Sequence, residues 1–188
     1  MRRVILFVSM LAIGLGAAMS APDAREAKAK SAAPEMASLT PSDDPVLEKA
    51  DRVVVLKGER KLVLMRSDRV LDVFHVALGR YAKGHKQREG DQRTPEGTYM
   101  LDSKLPKSNF YRAILISYPN AQDTARARQN GVRPGGKVEI HGLPGGWDAQ
   151  TLGHPKFDWT DGCIAVTNRE MDRIWARVDA GTPIEIHP

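Results

Sequence analysis

The sequence predicts a mainly β domain, β-rich α+β in class, finished by a C-terminal helix and strand. Three observations predict it. Apolar runs recur at hairpin spacing from Arg52 onward, several of these runs are apolar at consecutive positions, and a helical period with a clear start signal appears only after residue 167. Consecutive apolar residues such as Val53-Val54-Val55-Leu56 imply strands covered on two sides, as in a sandwich or a sheet with a helix laid across it.

Arg52–Lys57, Lys61–Arg66 and Val70–Leu78 read as consecutive antiparallel strands, because Gly58-Glu59-Arg60 and Ser67-Asp68-Arg69 are short and polar. Gly79 to Thr94 is then almost devoid of apolar residues and carries Lys83, His85, Lys86, Arg88, Glu89, Asp91 and Arg93. Polar connections of this length inside a domain are uncommon. Two readings stand: a solvated loop, or a basic rim meeting an anionic substrate, with Arg93 as a candidate contact. Thr94-Pro95-Glu96-Gly97 is a turn signal before a strand at Thr98–Leu101. Ile114–Ser117 is a further strand, Asp123–Gln129 a short helix ended by Asn130-Gly131, and Val138–His141 a strand delivering His141 at its end. Leu143 to Asp158 is Gly/Pro-rich, and Trp147, Phe157 and Trp159 lie close together in and just after it, as aromatic anchors of a loop. Thr167-Asn168-Arg169-Glu170 has the form of a capping box opening a helix at Asn168–Arg177, with Met171, Ile174, Trp175 and Val178 on one face. Ile184–Ile186 is the last strand.

The 188 residues are 41% hydrophobic and 27% charged, which suits one soluble domain plus extra sequence. Residues 1–20 have the order of a secretory signal: Arg2 and Arg3, an apolar run, then Ala18-Met19-Ser20 before Ala21. The alternative is a retained anchor; the run is shorter than the ~20 residues a spanning helix needs, which favours cleavage and an exported protein in the periplasm or cell envelope. Residues 21–50 read as a flexible linker broken by Pro22, Pro34, Pro41 and Pro45, with at most a short helix over residues 25–33, and the domain itself as residues 51–188. Losing residues 1–20 removes two arginines and no acids, lowering the net charge from +5 to +3. Such a mildly basic protein is drawn to anionic surfaces such as cell-wall polymers. Nucleic acid is not implied, since the basic residues are scattered, aromatics make up 6% and no groove-reading motif is present.

Cys163 is the one cysteine, so an exported chain would leave it without a disulfide partner. Carbonyl attack needs a thiolate, a nearby base and main-chain donors for the oxyanion. His141 can be the base, at a strand end next to Gly142. Its rivals are His85 and His154, the latter poorly held if its Gly-rich loop is mobile. His75 and His187, inside strand-like runs, read as core or edge residues. Gly162 lets the chain turn at Cys163, and the amides of Gly162 and Cys163 are candidate oxyanion donors. Thr160 shapes the same turn. Asp161 has two readings, one orienting or charge-stabilising a histidine and one capping the turn through backbone amides. Cys163, His141 and His154 match no familiar zinc spacing, so no metal is expected.

His141-Gly142, Thr160-x-Gly162-Cys163-Ile164, Asn168 and Gly181-Thr182-Pro183-Ile184, with Thr94-Pro95-Glu96-Gly97 upstream, resemble the L,D-transpeptidase catalytic domain, also called YkuD, over about Arg52 to His187. Two positions depart from that family: Asp161 stands where a second histidine is usual, and Ala165 where Arg or Asn is usual. The gap from His141 to Thr160 is also longer than the family norm, implying an inserted loop. The resemblance implies a YkuD-like β-sandwich or barrel and a peptidoglycan enzyme with Cys163 as nucleophile and His141 as general base and acid. Gly162, Thr160, Asp161 and Gly142 would shape the site, and Trp147 and Trp159 would join Arg93 at the substrate rim. It implies that the cysteine attacks the carbonyl of the third residue of a stem peptide, releases D-alanine and passes the acyl group to an amine of another stem or a wall-anchored protein. No cofactor is needed. Water as acceptor would make a carboxypeptidase or amidase, and a dead site would leave a wall-binding module.

Overall fold

The computed structural model describes residues 47–188. The expected signal segment and the linker to residue 46, including the possible helix at 25–33, lie outside the described residues. The packed body takes in the chain from Glu48, just upstream of Asp51: Arg177 donates to the Glu48 carbonyl, and the Ala50 amide donates to the Arg177 carbonyl at 2.8 Å. No helix among the described residues is long and apolar enough to cross a membrane.

Among the described residues eight strands form one sheet. They are β1 (Arg52–Leu56), β2 (Lys61–Arg66), β3 (Arg69–His75), β4 (Gly97–Leu105), β5 (Ala113–Ile116), β6 (Glu139–His141), β7 (Ile164–Ala165) and β8 (Thr182–His187). Three helices accompany them: α1 (Ala121–Gln129), α2 (Ala149–Leu152) and α3 (Asn168–Arg177). The strand order is β3-β2-β1-β8-β4-β5-β6-β7, antiparallel except for β1 with β8 and β6 with β7. The two outer strands do not stay apart. Just beyond β3, Ala77 and Ala165 of β7 exchange both backbone hydrogen bonds, at 3.0 and 2.8 Å, so the sheet curls and closes on itself. This is the mainly β architecture that the apolar runs predict.

Burial alternates along the central strands. In β1, Val53 and Val55 are fully buried while Val54 is only half-buried, so the consecutive valines are not equally covered on both faces. Leu62, Leu64, Phe74, Leu101, Ile114, Ile140, Ile164 and Ile184 complete the interior, and α3 lays Met171 and Ile174 against it. Thr167 and Glu170 make the expected capping box of α3. In α1 the box is Asn120 with the buried Asp123, so that helix starts at Ala121 rather than Asp123. β4 runs on to Leu105, past its expected end at Leu101, and α2 and β7 are additional short elements. Pro183 fits inside β8 because β1 pairs with β8 only from Ile184 onward, so its missing N–H costs no bond on that side.

Residues 79–94 form neither strand nor helix, yet they are tied down. Lys57, 3% exposed in its side chain, donates to the carbonyls of Gly84 and Thr94 and to Glu96 Oε1, each at 2.8 Å. The Asp91 carboxylate accepts from Lys86 Nζ and from the amides of Gln87, Arg88 and Arg93. Burial pushes its carboxyl up, but those four bonds together, Lys86 foremost among them, outweigh that and hold it below the usual carboxylate range. The solvated-loop reading is therefore corrected: this segment is an ordered wall.

Candidate active site

The turn carrying Cys163 is built from its neighbours. Thr160 is buried, and its hydroxyl donates to the Cys163 carbonyl at 2.7 Å while accepting from the Gly162 amide at 3.1 Å. Gly162 has φ +132°, and a Cβ there would stand 2.7 Å from the Arg93 carbonyl oxygen, so only glycine fits. Gly79 is packed as closely, against the Gln92 carbonyl and the Gly162 Cα, and its amide donates to the buried Thr94 hydroxyl. The wall formed by residues 79–94 thus seats directly on the cysteine turn. One expectation needs correcting: the Gly162 amide is already bonded to Thr160 and is not a free oxyanion donor. Among the described hydrogen bonds the Cys163 amide donates none, so it remains available.

His141 ends β6 and is 1% exposed. Phe110 stacks on its ring at 3.7 Å between centroids, and Trp159 meets it edge-on at 5.8 Å. Its Nδ1 lies 2.6 Å from the Gly142 carbonyl oxygen, which can only accept; Nδ1 therefore carries the proton and Nε2 the lone pair. Nε2 is buried and has no hydrogen-bond partner. Burial is the main cause that lowers the ring's pKa from 6.5 to about 4. Gly142 is required as well, since a Cβ would come within 2.6 Å of the Tyr111 carbonyl and 2.7 Å of Asn168 Oδ1. Asn168 Oδ1 accepts from the Leu143 amide at 2.8 Å, which fixes the chain leaving His141.

In the parallel pair β6/β7, Ile140 faces Ile164 and His141 faces Ala165. The two isoleucines point into the core, so alternation puts His141 and Cys163 together on the other face, two residues apart in register. No hydrogen bond joins them. Cys163 Sγ instead reaches the Lys137 carbonyl at 3.7 Å, toward the opposite end of β6. Burial pushes the thiol up from 9.0 to about 11; the Glu139 backbone amide and Lys86 oppose the rise, while the Glu139 and Asp161 charges add to it. Both groups are thus neutral at pH 7.

Cys163 is partly exposed and opens on a cavity of about 360 Å³ lined by Lys86, Gln92, Gly136, Lys137, Asp161 and Gly162, among others. Asp161 fits neither of its two readings. Its exposed carboxylate accepts from Arg80 at 2.6 Å and Gln92 at 3.0 Å, bonding neither a histidine nor a backbone amide. Arg93 touches the turn through its carbonyl, while its side chain borders a neighbouring hollow of about 550 Å³ with Arg88 and Tyr81. Trp147 is exposed and does not line the cysteine cavity, whereas Trp159 packs on His141. His154 is buried rather than poorly held, its Nδ1 facing Trp159 Nε1 at 3.5 Å. His85 is bound to Asp123 at 2.9 Å and to the Glu96 amide, and His75 and His187 are exposed strand residues. The residue that sequence reasoning missed is Lys86. It looks like one surface cation of a charged run, but its side chain is 5% exposed and its Nζ lies 4.0 Å from where a Gly162 Cβ would be.

The chain belongs to the YkuD family: the model of the L,D-transpeptidase catalytic domain matches residues 50–186. Among individual proteins it is similar to YafK of Escherichia coli K12, whose L,D-transpeptidase name is itself provisional, with 31% identity over 129 residues, 65% of this chain and 45% of that one. Among solved structures it is similar to the helical cell shape determining protein Pgp2 of Campylobacter jejuni, with TM-score 0.54, 26% identity, and coverage of 72% of this chain and 46% of that one. Bd1075 of Bdellovibrio bacteriovorus shares the fold, with TM-score 0.50 and 23% identity over 76% of this chain and 51% of that one. The chain spans about half the length of these relatives.

Proposed function

We propose that this protein is an exported peptidoglycan L,D-transpeptidase of the cell envelope, a cysteine acyltransferase acting on stem peptides. Cys163 attacks the carbonyl carbon of the third stem residue while His141 Nε2 takes the thiol proton. The π pair moves to oxygen, then returns as the C–N bond breaks, and His141 gives its proton to the departing D-alanine amine. The product is a thioester on Cys163. An amine of a second stem, or of a wall-anchored protein, then displaces the sulfur. Thiol and imidazole supply nucleophile and proton shuttle, so no cofactor enters.

The observation that carries this reading is the shared face of β6 and β7, with Cys163 at a cavity and a neutral imidazole two register positions away. Sγ must leave the Lys137 carbonyl to approach His141, a χ1 step between staggered wells that a partly exposed side chain makes readily. Because thiol and base start neutral, proton transfer accompanies attack rather than preceding it. The test is incubation with purified stem tetrapeptide followed by intact-mass analysis. An acyl adduct on the wild-type protein with free D-alanine, both lost in Cys163→Ala at unchanged melting temperature, is the expected outcome. Turnover by Cys163→Ala would overturn the reading, and release of free tripeptide without any cross-linked product would make water the acceptor.

A further inference from the structure

The mechanism above leaves one requirement unmet. Each preorganised donor aimed at the oxyanion lowers the barrier, and the Gly162 amide is spent on Thr160. The cavity at Cys163 contains another. Lys86 is buried, and an ammonium has three donors. One goes to Asp91 Oδ1 at 2.8 Å and one to the Arg88 carbonyl at 3.1 Å. The third has no partner among the described residues. Lys86 lines the same cavity as Cys163 and lies against Gly162, the residue preceding the nucleophile.

A purely structural role, neutralising Asp91, explains this arrangement poorly. The bonds to Asp91 and the Arg88 carbonyl use two of the three Lys86 donors and give no use for the third, and the Lys57–Glu96 pair anchors the same loop independently. What the ammonium adds is a fixed positive charge with an unspent donor beside the nucleophile, held so that it need not reorganise when charge appears. Electrostatic preorganisation of this kind is worth most where water is scarce.

We propose that Lys86 is a catalytic residue of this site: its free Nζ–H, together with the Cys163 amide, forms the oxyanion hole for the carbonyl that Cys163 attacks. As the C–S bond forms, the oxygen accepts from both donors; as the C–N bond breaks, the carbonyl is restored and Lys86 keeps its proton throughout. The proposal deepens the acyl-transfer reading and rests on it for the identity of the substrate, not for the chemistry.

The test separates carbonyl chemistry from thiol reactivity. p-Nitrophenyl acetate acylates a thiol through an oxyanion, whereas iodoacetamide alkylates it by displacement and makes none. Both rates are measured on the full chain at one pH, and the ratio of acylation to alkylation is compared between wild type and variants. Lys86→Met should lower that ratio about 100-fold, the scale of losing one oxyanion donor, with alkylation changed less than about threefold. Lys86→Arg, which keeps the charge and donors, should recover most of the ratio. Should Lys86→Met not fold, Lys86→Gln can still donate to Asp91 and should lower the ratio about 10-fold. An unchanged ratio overturns the proposal, as does a parallel fall in both rates, which would mean that Lys86 only tunes the thiol or holds the loop. A wild-type ratio no higher than that of free cysteine overturns it too. The stem-peptide experiment is separate: if no adduct forms there while the ratio still responds to Lys86, the substrate assignment fails and the oxyanion assignment stands.

Discussion

Burial moves Cys163 and His141 in opposite directions on the pH scale, to about 11 and about 4, and the same physical cause leaves both uncharged. For Cys163 this predicts that alkylation by iodoacetamide in the substrate-free protein climbs steadily from pH 7 to 10. A preformed ion pair would plateau below pH 7, so a stopped-time labelling profile that is flat across this window would contradict the neutral site. For His141 the consequence is a stability profile. Its folded pKa lies below the unfolded value, so the neutral ring stabilises the fold fully above pH 6.5, and that contribution is lost as pH falls toward 4. At ~1.4 kcal/mol per unit the loss is at most about 3.5 kcal/mol. His154, lowered in the same direction, adds to the slope. His141→Phe keeps an aromatic ring in the stack with Phe110 and Trp159 but removes the titration. Urea unfolding at pH 7.0 and 4.5 should therefore show a smaller acid destabilisation in the variant; equal losses would show that the ring is not the titrating group.

The elements around the site differ in how far local sequence announces them. The strands β1 to β3 were legible because short polar turns separate apolar runs, and α3 because Thr167 and Glu170 spell its start. β7 was not: two residues long, it exists through bonds to β6 and to Ala77, 24 and 88 residues away in the chain. The role of Lys86 was hidden for a related reason. Nothing local to residues 79–94 says that they fold back onto Gly162; that contact depends on Gly79, Thr94 and the carbonyl of Arg93 meeting a turn far along the chain. Cys163, Gly142 and His141 stand out because each sits in a short motif, whereas nothing in the motif shows that Thr160 claims the Gly162 amide. That claim makes Thr160 testable. Thr160→Val removes the donor to the Cys163 carbonyl and the acceptor for the Gly162 amide while preserving shape, and should cost roughly 1–3 kcal/mol as buried groups lose partners. Acylation of Cys163 by the stem tetrapeptide should fall at least 10-fold as the turn loosens. A variant with wild-type melting temperature and acylation rate would remove the threonine from the account.

Among the described residues the sheet is held shut where its two outer strands meet, and Ala165 sits at that junction. It is fully buried, as is Ala77 opposite, and the pair exchanges both backbone hydrogen bonds. The usual family residue at this position is Arg or Asn, so the alanine poses a physical question about what the seam can contain. A small side chain lets the β3 extension approach β7 closely enough to pair, and that approach brings Leu78, Gly79 and the wall after them onto the cysteine turn: the Thr160 amide donates to the Leu78 carbonyl at 3.1 Å and the Arg80 amide to the Thr160 carbonyl at 3.1 Å. Placing a guanidinium at residue 165 would bury a charge without a partner, at a cost of about 3 kcal/mol or more, or push the strands apart. Ala165→Arg should therefore lower the urea midpoint sharply and speed hydrogen exchange at Ala77 and Thr160 together, whereas Ala165→Gly, which keeps the seam narrow, should cost only about 1 kcal/mol. If Ala165→Arg folds with an unchanged midpoint and protected amides at Ala77, then the seam is not what closes the sheet, and the positioning of the wall against Cys163 must come instead from the Lys57 and Asp91 anchors.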